Sequence, residues 1–313
     1  MKTRSIILAS LLIFVLMFGL VGCLPATDPD ADSSSTNGGN SSEPITFKLM
    51  SYNMRVDATS NKRVEYDTVL ARTPLILKHI ADADPDVICV QEWTYSHLQY
   101  VAPDLEDDYN IEIFHRDALG LESAAILFKK DRFELISTEK FWLSETPNEM
   151  SIGWDANYHR IYSAVILRDK LSGKTFRAAT THLDLAKVAI GQQRKMVVDH
   201  TANSTEPALV CGDFNFNPSS PLYLYCINTL NDCRALDPNA TTTASYNGYN
   251  LVKEEEVLDG NGNVKNGYGL PIDHIFVKRN AFTVHSYDVL NYLIDGKFSS
   301  DHFPIVVELS IND

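Results

Sequence analysis

Basic residues, cysteines and long apolar runs are all scarce in this sequence, and each shortage excludes a class of protein. Lys and Arg number 27 against 41 Asp and Glu, a formal net charge of −14. A chain that grips nucleic acid non-specifically needs a basic footprint to displace counterions, so that role is disfavoured. Five cysteines in 313 residues are too few for a disulfide scaffold. A polytopic membrane protein is excluded because there is one long apolar run, Ile6 to Leu20. What is present is a hydrophobic fraction of 44%, which excludes a wholly disordered chain.

The apolar run reads as a targeting segment. Lys2 and Arg4 precede it, and it is shorter than the ~20 residues a spanning helix needs. It ends in Leu20-Val21-Gly22-Cys23, which resembles the lipobox of bacterial lipoproteins. The plainer alternative is an ordinary signal peptide with a chance cysteine. Residues 24–45 are rich in Ser, Gly, Asn, Asp and Pro, with too little apolar surface to fold. The expected organisation is a lipoprotein signal peptide over 1–22, a lipidated Cys23 opening a flexible linker over 23–45, and one domain over 46–313. Cleavage before Cys23 removes Lys2 and Arg4 and no acid, making the chain still more acidic. The expected location is outside the cytoplasm, anchored by lipid to the cell membrane or cell surface, as a monomer.

Within the domain, short β-rich apolar runs recur: Phe47–Tyr52, Val87–Val90, Ala124–Phe128, Tyr162–Leu167, Phe176–Thr180, Ala208–Cys211, His274–Val277 and Ile305–Leu309. Helical patterns lie between some of them. The clearest spans Tyr66–Ala81, where Pro74 either bends the helix or marks a second start; another covers Lys187–Ala202. Strands and helices intermixed throughout predict an α/β sandwich, two sheets inside helical layers.

Polar residues punctuate these strands. Asn53, Glu92, His182 and the Asp213–Asn215 pair follow four of them, while Asp273 and the Asp301-His302 pair precede two others. If the first four strands run one way and the last two antiparallel to them, all six clusters meet at one sheet edge. Loops at the ends of a rigid sheet are the usual place for an active site. Four carboxylates, two amides and two imidazoles without a cysteine cluster suit Mg²⁺ or Mn²⁺ rather than structural Zn²⁺. Imidazoles beside carboxylates suit proton transfer, and the whole set suits phosphate-ester hydrolysis.

The motifs SYNMRVD, DVICVQEW, THLD, GDFNFNP, IDHIF and SDHFPIVVEL, in this order from about Phe47 to Leu309, resemble those of the endonuclease/exonuclease/phosphatase superfamily. FWLSETP, GWDANYHRI and FKKDRFEL resemble its bacterial metal-dependent hydrolase branch. The resemblance implies a four-layer α/β/β/α sandwich with two mixed β-sheets. It implies Glu92 as the principal metal ligand, with Asn53 and Asp301 near the metal. It implies Asp213 as the residue that orients or deprotonates the attacking water and Asn215 as an amide on a phosphate oxygen. His302, supported by Asp273, and His182, supported by Glu122, would flank the scissile phosphate. Arg160 and Trp154 would bind the leaving-group side.

Blander roles stand beside these. An Asp or Asn after a strand is often a turn residue, and Trp154 could equally be partial core. Cys89 and Cys211, inside apolar strands, are expected as buried thiols. Cys226 and Cys233, seven apart on one expected helix, would lie roughly 10 Å apart, too far for a disulfide unless that helix breaks. Asp259-Gly-Asn261-Gly-Asn263 resembles the start of a calcium loop, but Val264 and Leu270 stand where its turn glycine and final acid belong. Residues 247–269 read as a long surface loop.

The expected activity is a metal-dependent phosphoesterase, in particular a phosphodiesterase. Its expected partners are a small diester or lipid headgroup, and a membrane through the anchor. The alternatives are a surface nuclease, against which the net charge argues, and a non-catalytic binding lipoprotein, which would be expected to have lost a ligand or base. The Trp-Cys-Asp-Arg run of inositol 5-phosphatases is absent.

Overall fold

A computed structural model describes residues 44–57, 62–240, 243–249 and 271–313. The expected signal peptide, Cys23 and the calcium-like stretch lie outside the described residues, as do most of the expected linker and of the 247–269 loop. One compact unit, Glu43–Asp313, contains everything that follows.

Alternation along the strands builds two six-stranded sheets. The first has the order β11 (Phe282–Val289), β12 (Ile305–Ile311), β1 (Thr46–Asn53), β2 (Val87–Trp93), β4 (Ser123–Lys129), β3 (Tyr109–His115). The second runs β5 (Phe133–Trp142), β6 (Ile161–Asp169), β7 (Thr175–His182), β8 (Ala208–Asp213), β10 (Asp273–Val277), β9 (Asn231–Asp232). Both are mixed. β1 and β2 are parallel, as are β7 and β8, while β12 is antiparallel to β1 and β10 to β8. These are the directions the polar punctuation requires.

Three apolar interfaces separate four layers. Leu49, Cys89, Ile126, Val165, Cys211 and Val307 belong to the core between the sheets. Their strand neighbours Met50, Ile88 and Leu127 point the other way, against Val69, Ile76 and Ile80 of α1 (Val69–Ala83). On the opposite outside face, Ala164, Ala179, Val210 and Phe276 pack on Val197 and Val198 of α3 (Ala189–Ala202) and on Tyr223 and Cys226 of α4 (Pro221–Thr229). A short α2 (Tyr95–Tyr100) follows β2 directly. Among the described residues no helix is long and apolar enough to cross a membrane.

Local chemistry moves some expected boundaries. α1 starts at Val69 rather than Tyr66 because Thr68 caps it, its hydroxyl oxygen accepting from the Ala71 amide at 3.3 Å. Pro74 opens no second helix and lies exposed within α1. The helix expected to carry both Cys226 and Cys233 does break, since α4 ends at Thr229 and α5 (Cys233–Leu236) begins after β9. Both thiols nevertheless remain free and buried, as do Cys89 and Cys211.

Candidate active site

Strand ends deliver the predicted residues to one place. Asn53 ends β1, Glu92 is next to last in β2, His182 ends β7 and Asp213 ends β8. Asp273 opens β10 opposite Asp213, and Asp301 and His302 lie just ahead of β12. Glu122 precedes β4, whose first residue Ser123 pairs with Trp93.

Asp213, only 2% exposed, is the centre of the cluster. Its Oδ2 accepts from Asn53 Nδ2 at 3.1 Å and lies 3.5 Å from His182 Nε2 and 3.6 Å from His302 Nε2. Its Oδ1 accepts from the Asn215 amide at 2.9 Å. Burial and the nearby Asp273 charge raise its carboxyl above the usual range, against the pull of both imidazoles. Burial works against charge on His302, but Asp273 and Asp213 prevail and raise its pKa well above 6.5. His302 Nδ1 donates to Asp273 Oδ2 at 2.8 Å, and Ser245 Oγ donates to that same oxygen at 2.6 Å. On the other side, Glu122 Oε1 lies 3.3 Å from His182 Nδ1. Burial opposes ionisation of Glu122, yet His182 with the guanidinia of Arg160 and Arg116 holds its carboxyl down at about 2. Each imidazole therefore has one nitrogen beside an acid, hydrogen-bonded in His302 and in proximity only in His182, and the other turned to Asp213.

Glu92 is placed differently. Its oxygens accept from Asn53 Nδ2 at 3.0 Å and the Val56 amide at 2.8 Å, and among the described residues no basic side chain pairs with it. The backbone there is left-handed, φ +62°, where the β2–β4 register slips between Val90 and Trp93. Such strain in a non-glycine residue is stored mostly at functional sites. A carboxylate with no cation of its own, beside an amide, is a hard-oxygen donor set that fits a divalent metal. Asp213, Asp273 and His302 also bring ligand atoms within 4.8 Å of one another. The Glu92–Asn53 side, with no basic partner among the described residues, is a second place for a cation.

Asp301 shares the wall, but cations already meet its charge. Arg55 Nη1 donates to it at 3.0 Å and Arg63 lies 3.7 Å away. Arg55 also forks onto Asp67 at 2.8 Å. Asn215, with φ +56°, donates from Nδ2 to the Leu183 carbonyl at 2.8 Å, leaving its second amide hydrogen for another acceptor.

Residues 50–302 match the Endonuclease/Exonuclease/phosphatase family. The chain belongs to this family. A family member of known structure from Bacteroides thetaiotaomicron superposes with a TM-score of 0.74 at 27% identity, covering 87% of this chain and all of that one. A mannosyl-6-phosphatase from the same organism gives 0.71 at 27% identity, covering 84% and 99% of the two chains. Nocturnin of Mus musculus is 25% identical over 275 residues, 77% of this chain and 58% of that protein. The chain spans less than two thirds of the curated relatives it matches first. The phosphoesterase class expected from the sequence is the class of this family, and divalent-metal dependence is typical of it.

Some side chains around the site, Arg116 and Arg72 among them, fall outside the quoted motifs. Arg160 does reach the site, with Nη1 3.3 Å from Glu122, but Trp154 is positioned by its backbone, whose amide donates to Glu145 at 3.1 Å. The aromatic ring beside the arginines is Tyr158, 5.2 Å from the Arg116 guanidinium and 5.4 Å from that of Arg160. Arg116 approaches Glu122 from the β3–β4 loop at 2.7 Å. Arg72, fully buried in α1, donates to the carbonyls of Met54, Arg55, Val56 and Ser299 and so fixes the loop after Asn53. An isolated arginine in a helical pattern carries no sign of such a task.

Proposed function

We propose that this chain is a divalent-metal-dependent phosphoesterase that hydrolyses its substrate by attack of water. The observation that carries this reading is the Asp213 carboxylate, buried between two acid-flanked imidazoles and near Glu92, which has no basic partner among the described residues. Glu92 and Asn53 would hold Mg²⁺ or Mn²⁺, which supplies neutralisation of phosphoryl charge when bound. Asp213, made more basic by burial, accepts the proton of the attacking water. His302, kept protonated by Asp273, donates to a phosphoryl oxygen, and His182, beside Glu122, stabilises the same developing charge. The free amide hydrogen of Asn215 holds a further oxygen.

The substrate we favour is a small phosphodiester or lipid headgroup, acted on outside the cytoplasm by a protein anchored through Cys23. Net charge weighs against a nuclease. A binding protein that had lost catalysis would not be expected to keep Asn53, Glu92, His182, Asp213, Asp273 and His302 together.

The test is a panel of diesters, monoesters, phospholipids and nucleic acids assayed with EDTA and with Mg²⁺ or Mn²⁺. Activity on at least one ester that EDTA removes and metal restores is expected; inactivity throughout leaves a binding protein. Location has its own check. Cys23→Ser should move the protein from the membrane fraction to the soluble one and abolish lipid labelling, and unchanged fractionation contradicts the anchor.

A further inference from the structure

Behind His302 stands a side chain that none of the quoted motifs contains. Ser245 lies between α5 and β10, fully buried. Its hydroxyl oxygen accepts the amides of Ile272 and Asp273, both at 3.1 Å. Its hydrogen goes to Asp273 Oδ2 at 2.6 Å, the oxygen that also accepts from His302 Nδ1 at 2.8 Å. The other oxygen of that carboxylate, Oδ1, is buried without a hydrogen-bond partner among the described residues. The backbone around Ser245 is fastened to the loop that carries His302. The Phe303 amide donates to the Ser245 carbonyl at 2.7 Å, the Asn247 amide donates to the Asp301 carbonyl at 2.8 Å, and Tyr246 forms a β-bridge with His302. The Tyr246 ring packs edge-on against the imidazole, with centroids 5.0 Å apart.

A serine hydroxyl has one hydrogen to give and two lone pairs to offer. Amides take both lone pairs of Ser245, so its hydrogen has one direction left, toward Asp273. Oδ2 then accepts two hydrogen bonds, and an oxygen so occupied has no room for the proton of His302. The Nδ1 proton stays on the ring, and the ring is held from behind. Nε2, 3.6 Å from Asp213, is left as the nitrogen that meets the substrate. We propose that Ser245 is a positioning residue for the phosphoester chemistry: it fixes which oxygen of Asp273 faces His302, and so the angle at which Nε2 is presented. This deepens the phosphoesterase reading and rests on it for the reaction. The competing role is structural alone: Ser245 satisfies two amides and ties its segment to β10, and His302 keeps its orientation without it.

Spectroscopy and turnover separate these roles. Proton NMR of the full chain in EDTA, without substrate, should show the His302 Nδ1 hydrogen far downfield, as for an imidazole proton bonded to a carboxylate. Its loss in His302→Gln assigns the signal. Ser245→Ala should shift the signal or broaden it away, and Ser245→Thr, which keeps the hydroxyl, should retain it. On an ester turned over with Mg²⁺, kcat of Ser245→Ala should fall by roughly 10–100-fold with KM little changed, and Ser245→Thr should recover most of that loss. Ser245→Cys, close in shape but a weak donor, takes the place of the alanine variant if that one fails to fold. A structural role predicts a lower melting temperature with an unmoved His302 signal and normal kcat, and that outcome overturns the proposal. So does a wild type without the downfield signal, or a loss in Ser245→Thr as large as in Ser245→Ala. If the wild type turns over no phosphoester, the phosphoesterase reading fails, and Ser245 stands or falls on the NMR signal alone.

Discussion

At the end of the sandwich away from the site, Arg132 donates to Asp86 Oδ2 at 3.0 Å and to the Thr46 carbonyl at 2.6 Å, and lies 3.4 Å from Asp169. It thereby bridges the two sheets, and Lys129 pairs with Asp84 and Asp86 beside it. At the catalytic end the charges do not balance in this way. Glu92 has no basic partner among the described residues, and Asp213 lies against Asp273 deep in the protein. What distinguishes the two ends is pairing. Matched pairs fasten a fold. Unmatched ones are costly in a resting protein and leave charge available for a ligand.

Removing the far-end bridge should affect stability without touching chemistry. Arg132→Met leaves Asp86 and Asp169 without their cation, and unfolding free energy should fall by roughly 3–5 kcal/mol, as when one partner of a largely buried pair is lost. Urea unfolding measures this, with kcat expected to stay near wild type. A large kcat loss at preserved stability would show that the two ends are not separable.

A smaller effect comes from acid. Burial pushes His79 down to about 4 from 6.5, only partly offset by the Tyr292 backbone and Asp82, and His97 is likewise pushed down to about 3. The unfolded chain therefore binds more protons than the folded one below pH 6.5. Stability present above that pH is lost as the pH falls toward 4, by roughly 3 kcal/mol for His79 alone. Unfolding curves from pH 7 to 4 should show this slope, and His79→Gln should flatten it. An unchanged slope would mean that His79 is not held neutral.

The legibility of the fold follows burial. The eight apolar runs are the eight interior strands of the two sheets: β12, β1, β2 and β4 in one, β6, β7, β8 and β10 in the other. Strands covered on both faces read as continuous apolar segments. The four strands without such a run are the four edges. β3 (YNIEIFH), β5 (FELISTEKFW) and β11 (FTVHSYDV) mix polar residues into half-exposed faces, and β9 has two residues. The site divides similarly. Residues at ends of interior strands stand out as polar breaks after apolar runs, whereas Arg116 and Tyr158 meet from separate loops and Arg72 reaches from a helix face to the Ser299 carbonyl, 227 residues away. Nothing in local pattern marks a contact at that separation.

The central claim, that Asp213 activates the attacking water, is tested most directly by Asp213→Asn. The amide keeps the shape and removes the basicity, so kcat at saturating Mg²⁺ should fall by roughly 10²–10⁴-fold, with a melting temperature no lower than wild type. Near-normal turnover together with a lowered melting temperature would contradict the mechanism and return Asp213 to the role of a turn residue.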